Sequence, residues 1–413
     1  MNYFEAYQSC SLFGALRYLS NIKDTICIIN GPTGCAFYAR NAIINLNGYF
    51  ESQKKVPVPK IFTVNFNESD VIFGNSEKLQ QILYDVINKY SPKIIFLLNC
   101  CVSEIIGIDI DEISNSISNN NNFTQIIPVH TAGFKGDHKF GMKLASNILC
   151  ENLMPSTKIQ TKHNRVNILG EFDYFNRSTL ELSQELSKIG IDNIFHIPGK
   201  CSVADLYCAP SAVLNIISCQ NASKHLAEMM KHKYGIPYIG DGLSLYGIEN
   251  TYHFYSLIYE FFHVSTERLT QRKEIAYKEL KKFTPYCLGK KAVIVAGHRR
   301  AIGYSNILKE LGVEVSLIFS ETDNCYTNKQ DFEGYSDNIL IDEYLDNLSE
   351  TITKISPDII FTTLPELIAP EKYLARLSDD FAGFSGALRM GQYLYDFFMS
   401  DRVKNNDCIL IKD

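Results

Sequence analysis

Along the first 150 residues, apolar positions come as short unbroken runs separated by longer stretches with helical spacing. The runs fall at Asp24–Asn30, Ile61–Phe66, Lys93–Asn99 and Gln125–His130. Amphipathic stretches lie around Cys35–Leu46, Glu77–Tyr90, Glu104–Ser118 and Lys139–Cys150. Strands apolar on both faces, alternating with such helices, predict parallel βαβ units. A polar segment with a proline, Met154–Arg165, predicts a linker. The pattern then restarts with strand Val166–Gly170, helix Ser178–Ile189, strands Asn193–Ile197 and Ala212–Ser218, and helix Ala222–Tyr234. Tyr234-Gly-Ile-Pro237 ends that helix, with Gly at its C-terminal cap and Pro just beyond. Two long helical patterns, near Thr251–His263 and Ser265–Lys282, lead to a third restart. There Lys291–Ala296, Val313–Phe319 and Asp358–Thr363 are strands and Ile302–Leu311 is a helix. Three restarts predict an α/β chain of three Rossmann-like, doubly wound domains, 1–160, 161–286 and 287–413, with parallel sheets around a central cleft. Ligands in such sheets bind beyond the carboxyl ends of the strands.

Composition narrows the function classes. Lys and Arg number 40 against 46 Asp and Glu, a net charge of −6, so no basic surface offers itself to nucleic acid. No apolar run reaches the roughly 18 residues of a membrane span. The opening residues, MNYFEAYQSC, lack the basic region and apolar core of a secretory signal, so a cytoplasmic protein is expected. In that setting the twelve cysteines are buried filler or metal ligands rather than disulfides. No CxxC pair occurs, which speaks against zinc ribbons and local ferredoxin-type loops. Any metal site must be assembled from distant loops. The nine histidines show no HExxH spacing, and neither GxGxxG nor GxxxxGK[ST] is present.

The candidate chemistry follows the strands. Gly31-Pro-Thr-Gly-Cys35 makes a tight turn into a helix and sets Cys35 at its N-terminus, where helix dipole and free N–H groups favour a thiolate. Cys100-Cys101 follows the strand Lys93–Asn99 in the same way, and Cys10 precedes a helix containing Gly14-Ala15. Three thiols at one kind of position either converge at one edge of the unit or serve as three small buried hydrophobes. Cys219, at the end of strand Ala212–Ser218, has the same two readings. Cys27, Cys150, Cys287 and Cys408 lie in apolar or terminal settings that favour filler, while Cys201, Cys208 and Cys325 are loop candidates without a partner pattern.

These residues resemble nitrogenase component 1. The likeness is carried by Cys10 with Gly14-Ala15, by Gly31-Pro-Thr-Gly-Cys35, and by Cys101 in C-x5-G-x-D-I. It continues in Asp70-Val-Ile-Phe-Gly74, in Val166–Gly170 through Cys219 to Tyr234-Gly-Ile-Pro237, in Gly289–Arg299, and in Gly383-Phe-Ser-Gly386, nearly end to end. The resemblance implies that Cys10, Cys35 and Cys101 ligate an iron–sulfur cluster, 4Fe–4S or P-cluster-like, at the interface with a second component 1-type subunit. That subunit is either a further copy of the chain or a distinct one. It implies that Cys219 holds one end of a second metallocluster, that Arg299 lies in the cofactor pocket, and that an ATP-dependent iron-protein reductase is a partner. Thiolates suit such clusters, and an Arg balances an anionic cofactor.

Two departures bear on subtype. Lys143 stands where true nitrogenases carry a substrate-side His, and Tyr373–Ala382 lacks the His expected to hold the far end of the cofactor. The chain is therefore expected to be a nitrogenase-like oxidoreductase subunit relaying electrons through the interface cluster to a substrate or metallocluster in the cleft. The alternative is a non-catalytic scaffold for assembly of the iron–molybdenum cofactor. The short stretch before Cys10 weighs toward the oxidoreductase.

Overall fold

The computed structural model describes residues 10–46, 59–121, 123–172, 177–320, 329–341, 345–362, 374–376 and 381–400. The fold is α/β with three parallel sheets, as the alternation predicts. The chain divides into two compact units, one holding the described residues from 10 to 172 and from 193 to 238, the other those from 177 to 192 and from 239 onward.

The first unit opens with α1 (Ser11–Leu19), β1 (Thr25–Asn30), α2 (Thr33–Leu46), β2 (Ile61–Thr63), α3 (Glu68–Phe73) and α4 (Ser76–Tyr90). It continues with β3 (Ile94–Asn99), α5 (Cys101–Ile105), α6 (Ile110–Asn119), β4 (Gln125–His130) and α7 (His138–Ile148). The strands form a sheet in the order β2-β1-β3-β4, parallel throughout. Alternation along the strands explains why they read as unbroken apolar runs. Cys27, Ile29, Phe96 and Leu98 face one core with Leu12 and Leu16 of α1 and Ala39 of α2. Ile26, Ile28, Ile95 and Leu97 face the other with Leu79 and Leu83 of α4 and Ile113 of α6. The sheet is thus doubly wound.

The same unit carries β5 (Arg165–Glu171), β6 (Asn193–Pro198), β7 (Leu214–Ile217) and β8 (Tyr238–Ile239) in the order β6-β5-β7-β8. Helix α8 (Arg177–Lys188), next after β5, belongs to the other unit, whereas α9 (Gln220–Tyr234) packs on this sheet. As predicted, α9 ends at Gly235, which takes φ +67° and returns its N–H to the carbonyl of Lys231.

The second unit contains α10 (Ile248–Phe261), α11 (Glu267–Leu280), β9 (Lys291–Val295), α12 (His298–Leu311), β10 (Glu314–Ser320), β11 (Ile339–Ile341), α13 (Leu345–Ile355), β12 (Ile359–Thr362), β13 (Leu374–Arg376) and α14 (Gly383–Met399). Its sheet runs β11-β10-β9-β12-β13. The Gly383-Phe-Ser-Gly386 motif opens α14. Gly383 adopts φ +83°, and the buried Glu181 carboxylate of α8 accepts from the N–H groups of Phe384 (2.9 Å) and Ser385 (3.1 Å). The helix expected over Glu104–Ser118 is instead two helices, parted at Gly107 with φ +73°. Among the described residues, no helix is long and apolar enough to cross a membrane.

Candidate functional site

Strands β1, β3 and β4 end in register at Asn30, Asn99 and His130. Gly31, Cys100 and Thr131 therefore leave the sheet side by side, at its carboxyl edge. Buried side-chain amides fix that edge. Asn75 Nδ2 donates to Asn30 Oδ1 and Asn30 Nδ2 to Asn99 Oδ1, each at 2.9 Å, and Asn99 Nδ2 donates to Glu104 Oε2 at 3.2 Å. Thr131 Oγ1 donates to the carbonyl of Asn99 at 2.7 Å, and Ser11 Oγ to that of Thr131 at 2.7 Å. The start of α1 is thereby tied to the loop after β4.

Four thiols gather on this edge. Cys10 is the N-cap of α1, Cys35 lies in the first turn of α2, Cys100 is the N-cap of α5 and Cys101 its first residue. The Cys35 and Cys100 thiols hydrogen-bond to each other, and Cys10 and Cys101 are close enough to act electrostatically on Cys35. Gly133 is wedged between the other two. Its N–H donates to Cys101 Sγ at 3.0 Å, and a Cβ at this position would stand 2.9 Å from Cys10 Cβ and 3.3 Å from Cys101 Sγ. Gly31 is pressed as closely against Cys100, where a Cβ would lie 2.4 Å from Sγ. The three cysteines singled out in the sequence are thus brought together, with Cys100 as a fourth.

The hydrogen bond from Cys35 lowers the Cys100 thiol to about 6 despite burial, with help from the backbone and hydroxyl of Ser103 and the backbone of Val102. The same bond, reinforced by burial, pushes Cys35 up. Among the described residues no three His, Cys, Asp or Glu side chains surround a single metal ion. A cubane makes a different demand, presenting a separate iron to each thiolate. Soft donors on several segments, with glycine backbone pared down against the sulfurs, fit such a cluster.

Beside the thiols, His130 bridges two carboxylates, Nδ1 to Glu104 Oε2 at 3.2 Å and Nε2 to Asp111 Oδ2 at 2.8 Å, and Lys135 pairs with Glu104. Burial opposes ionisation of Glu104, but the bonds from Lys135, His130 and Asn99 outweigh it and hold the carboxyl below its ordinary range. Large apolar side chains stand in solvent on the elements that carry or flank the thiols: Ile72 is 71% exposed, Phe73 86% and Ile105 72%. No local sequence signal identified Gly133, the amide chain or the His130 cluster, because each is defined by contacts across strands.

Cys219 is the N-cap of α9, half-buried against the core, and its carbonyl accepts from Ser223 N at 3.0 Å and Ser223 Oγ at 2.7 Å. On α9, His225 Nε2 bonds Asn147 Oδ1 of α7 at 2.7 Å, and burial, then the charge of Lys143, lowers its pKa. Lys143 itself is exposed. Arg299 lies in the second unit at the start of α12, its guanidinium 5.6 Å from the centre of the Tyr246 ring. Cys27, Cys150 and Cys287 are buried, as the filler reading expects, and burial pushes all three up. The loop candidate Cys201 is buried too and donates to the carbonyl of Pro198, while Cys208 is half-buried. Cys325 and Cys408 lie outside the described residues.

Residues 10–398 match the family described as nitrogenase component 1 type oxidoreductase. The chain is 30% identical over 334 residues to the nitrogenase iron-molybdenum cofactor biosynthesis protein NifE of Clostridium pasteurianum, covering 79% of this chain and 70% of that protein. It is 27% identical over 384 residues to NifE of Methanococcus maripaludis, covering 89% and 76%. With the nitrogenase molybdenum-iron protein alpha chain of Clostridium pasteurianum it shares 27% identity over 337 residues, 76% of this chain but only 58% of the other. The fold superposes on a solved structure of nitrogenase Cp1 at pH 5 with a TM-score of 0.82, at 21% identity, over 96% of this chain and 89% of that one.

Proposed function

Because this chain belongs to the family of nitrogenase component 1 type oxidoreductases, we propose that it works as an assembly scaffold subunit for a nitrogenase-type metallocofactor. The observation that carries this reading is a pairing of presence and absence. Cys219 is retained at a helix N-cap, while Tyr373–Ala382 has no His to grip the far end of a cofactor. A cluster held by one thiolate is suited to release rather than to turnover. The NifE proteins, of which the chain spans 70% and 76%, support the same reading.

In this proposal Cys10, Cys35 and Cys101 hold a resident iron–sulfur cluster, which supplies single electrons when bound. The chain's own residues shape its seat: Gly133 N–H donates to Cys101 Sγ, and Ser11 locks Cys10 to the loop after β4. The exposed Ile72, Phe73 and Ile105 suit a second component 1-type subunit or an iron-protein reductase. Cys219 ligates the cargo cluster, a soft thiolate donor for iron. Electron relay to a substrate is the second reading, favoured by the likeness to molybdenum-iron protein alpha chains.

One experiment separates the two. The chain is purified without oxygen, together with its co-purifying subunit, and mixed with cofactor-deficient molybdenum–iron protein. The scaffold reading expects the acceptor to gain activity as the chain loses metal, and Cys219→Ser to abolish the transfer. Sustained substrate reduction by the chain itself with iron protein and ATP, and no transfer, would establish the relay instead.

A further inference from the structure

We propose that Arg17 is a cargo-binding residue, the cation that receives an anionic metallocluster held by Cys219. This role rests on the reading of Cys219 as the cargo's thiolate ligand and gives that site a second, ionic contact. One thiolate grips a cluster at a single corner, and sulfide and thiolate ligands leave such clusters net negative. A fixed cation nearby holds the cargo without a second covalent bond that would have to break on release.

Arg17 stands at the corner of the first unit where Cys219 leaves its sheet. Leu169 of β5 pairs with Ile217 of β7, so the residues that follow, as far as Phe172 and Cys219, emerge side by side at the carboxyl edge. Ser218 Oγ donates to Glu171 Oε2 at 3.3 Å, and a Cβ on Gly170 would lie 3.0 Å from the Cys219 carbonyl oxygen. The last turn of α1 covers this corner. Its Tyr18 hydroxyl donates to the Ala222 carbonyl of α9 at 2.8 Å, and its ring meets that of Phe172 edge-on at 5.3 Å. Arg17 sets its guanidinium 4.7 Å from the centre of the same Phe172 ring. The charge is thus positioned but not neutralised. Among the described residues the guanidinium meets no carboxylate, and its Nε is buried without an acceptor. Asn221 Oδ1, two residues beyond Cys219, is likewise buried and unpartnered. Arg17 as a whole is only half-buried, so the charge that Phe172 holds in place still reaches the surface. Its position in the last turn of α1 suits the helix dipole, which accounts for a positive charge there but not for a guanidinium pinned over an aromatic ring.

The test uses the full chain with its co-purifying subunit, produced without a molybdenum source and isolated without oxygen. It is titrated with isolated iron–molybdenum cofactor, and the molybdenum retained through gel filtration gives an apparent dissociation constant. Arg17→Met keeps the stem over Phe172 and is expected to weaken retention about tenfold, the equivalent of one charge-assisted hydrogen bond. Arg17→Lys restores the charge and should recover most of that loss. Added salt should weaken the wild type more steeply than Arg17→Met. Wild-type affinity and salt dependence in Arg17→Met, with retention abolished in Cys219→Ser, would overturn the role of Arg17 and leave Cys219 standing. Retention unaffected by either substitution, or no retention by the wild type, would remove the Cys219 site and this role with it. A loss in Arg17→Met that Arg17→Lys does not relieve, together with a lower denaturant midpoint, would mark packing and overturn the proposal as well.

Discussion

Gly133 shows how one missing side chain shapes the thiol site. It carries no Cβ where one would meet both Cys10 and Cys101, and its N–H is spent on a sulfur. Gly133→Ala must push the loop away from Cys101 or splay Cys10, because the nearest atoms are a Cβ and a sulfur held at helix starts. Overpacking of this kind costs about 1–3 kcal/mol. The variant should therefore unfold at lower denaturant and retain less than half the wild-type iron after anaerobic reconstitution. Full iron retention would show that the loop yields without moving the thiols.

Among the elements, the crossing of α1 and α7 decides where Cys10 stands. A Cβ on Gly14 would lie 1.7 Å from the carbonyl oxygen of His138, and one on Gly141 would lie 1.9 Å from that of Ser11. The two helices thus meet backbone to backbone, and neither can slide or rotate without a clash. Packing this tight transmits displacement instead of absorbing it. Gly14→Ala is expected to force the helices apart, destabilising the chain by about 3 kcal/mol or more. Because α1 begins at Cys10, the same variant should lower the iron bound on reconstitution. Denaturant midpoint and metal analysis on one preparation check both effects.

Over the whole molecule, two buried histidines set how stability responds to acid. Burial, with Lys139 and Arg17 adding, lowers His138 to about 4, although Asp137 acts in the opposite direction. Burial, with Lys200 adding, lowers His196 to about 4. Both side chains have Nδ1 buried with no hydrogen-bond partner among the described residues. An unfolded histidine titrates near 6.5. Between about pH 6.5 and pH 4 the unfolded chain therefore binds protons that the folded chain does not, and stability falls as pH falls through that window. Glu104 and Glu185 are held low in the folded state, so their contributions persist to lower pH and are lost below the ordinary carboxylate range. The denaturant midpoint should drop between pH 7 and pH 5, and His138→Gln with His196→Gln should flatten that drop. An unchanged slope in the double variant would assign the acid sensitivity to other groups.

The local hydrophobic period determined most of the architecture. Apolar runs of strand length between amphipathic stretches specified three parallel sheets, since a strand buried on both faces and a one-sided helix each leave their pattern within a dozen residues. The cysteines at strand ends were visible for the same reason. Helix α14 was not predicted, although Ala387, Met390, Leu394 and Phe397 form a buried stripe along it, and its start depends on Glu181 from another part of the chain. The break at Gly107 was hidden because a glycine within helical spacing does not announce a positive φ. Whether the thiols meet was decided only by the tertiary structure. Strand order β2-β1-β3-β4 sets Gly31 beside Cys100, and the loop after β4 drives Gly133 between Cys10 and Cys101. Strand order and register arise from packing both faces of the sheet at once, a property of the assembled layers that no single segment of sequence contains.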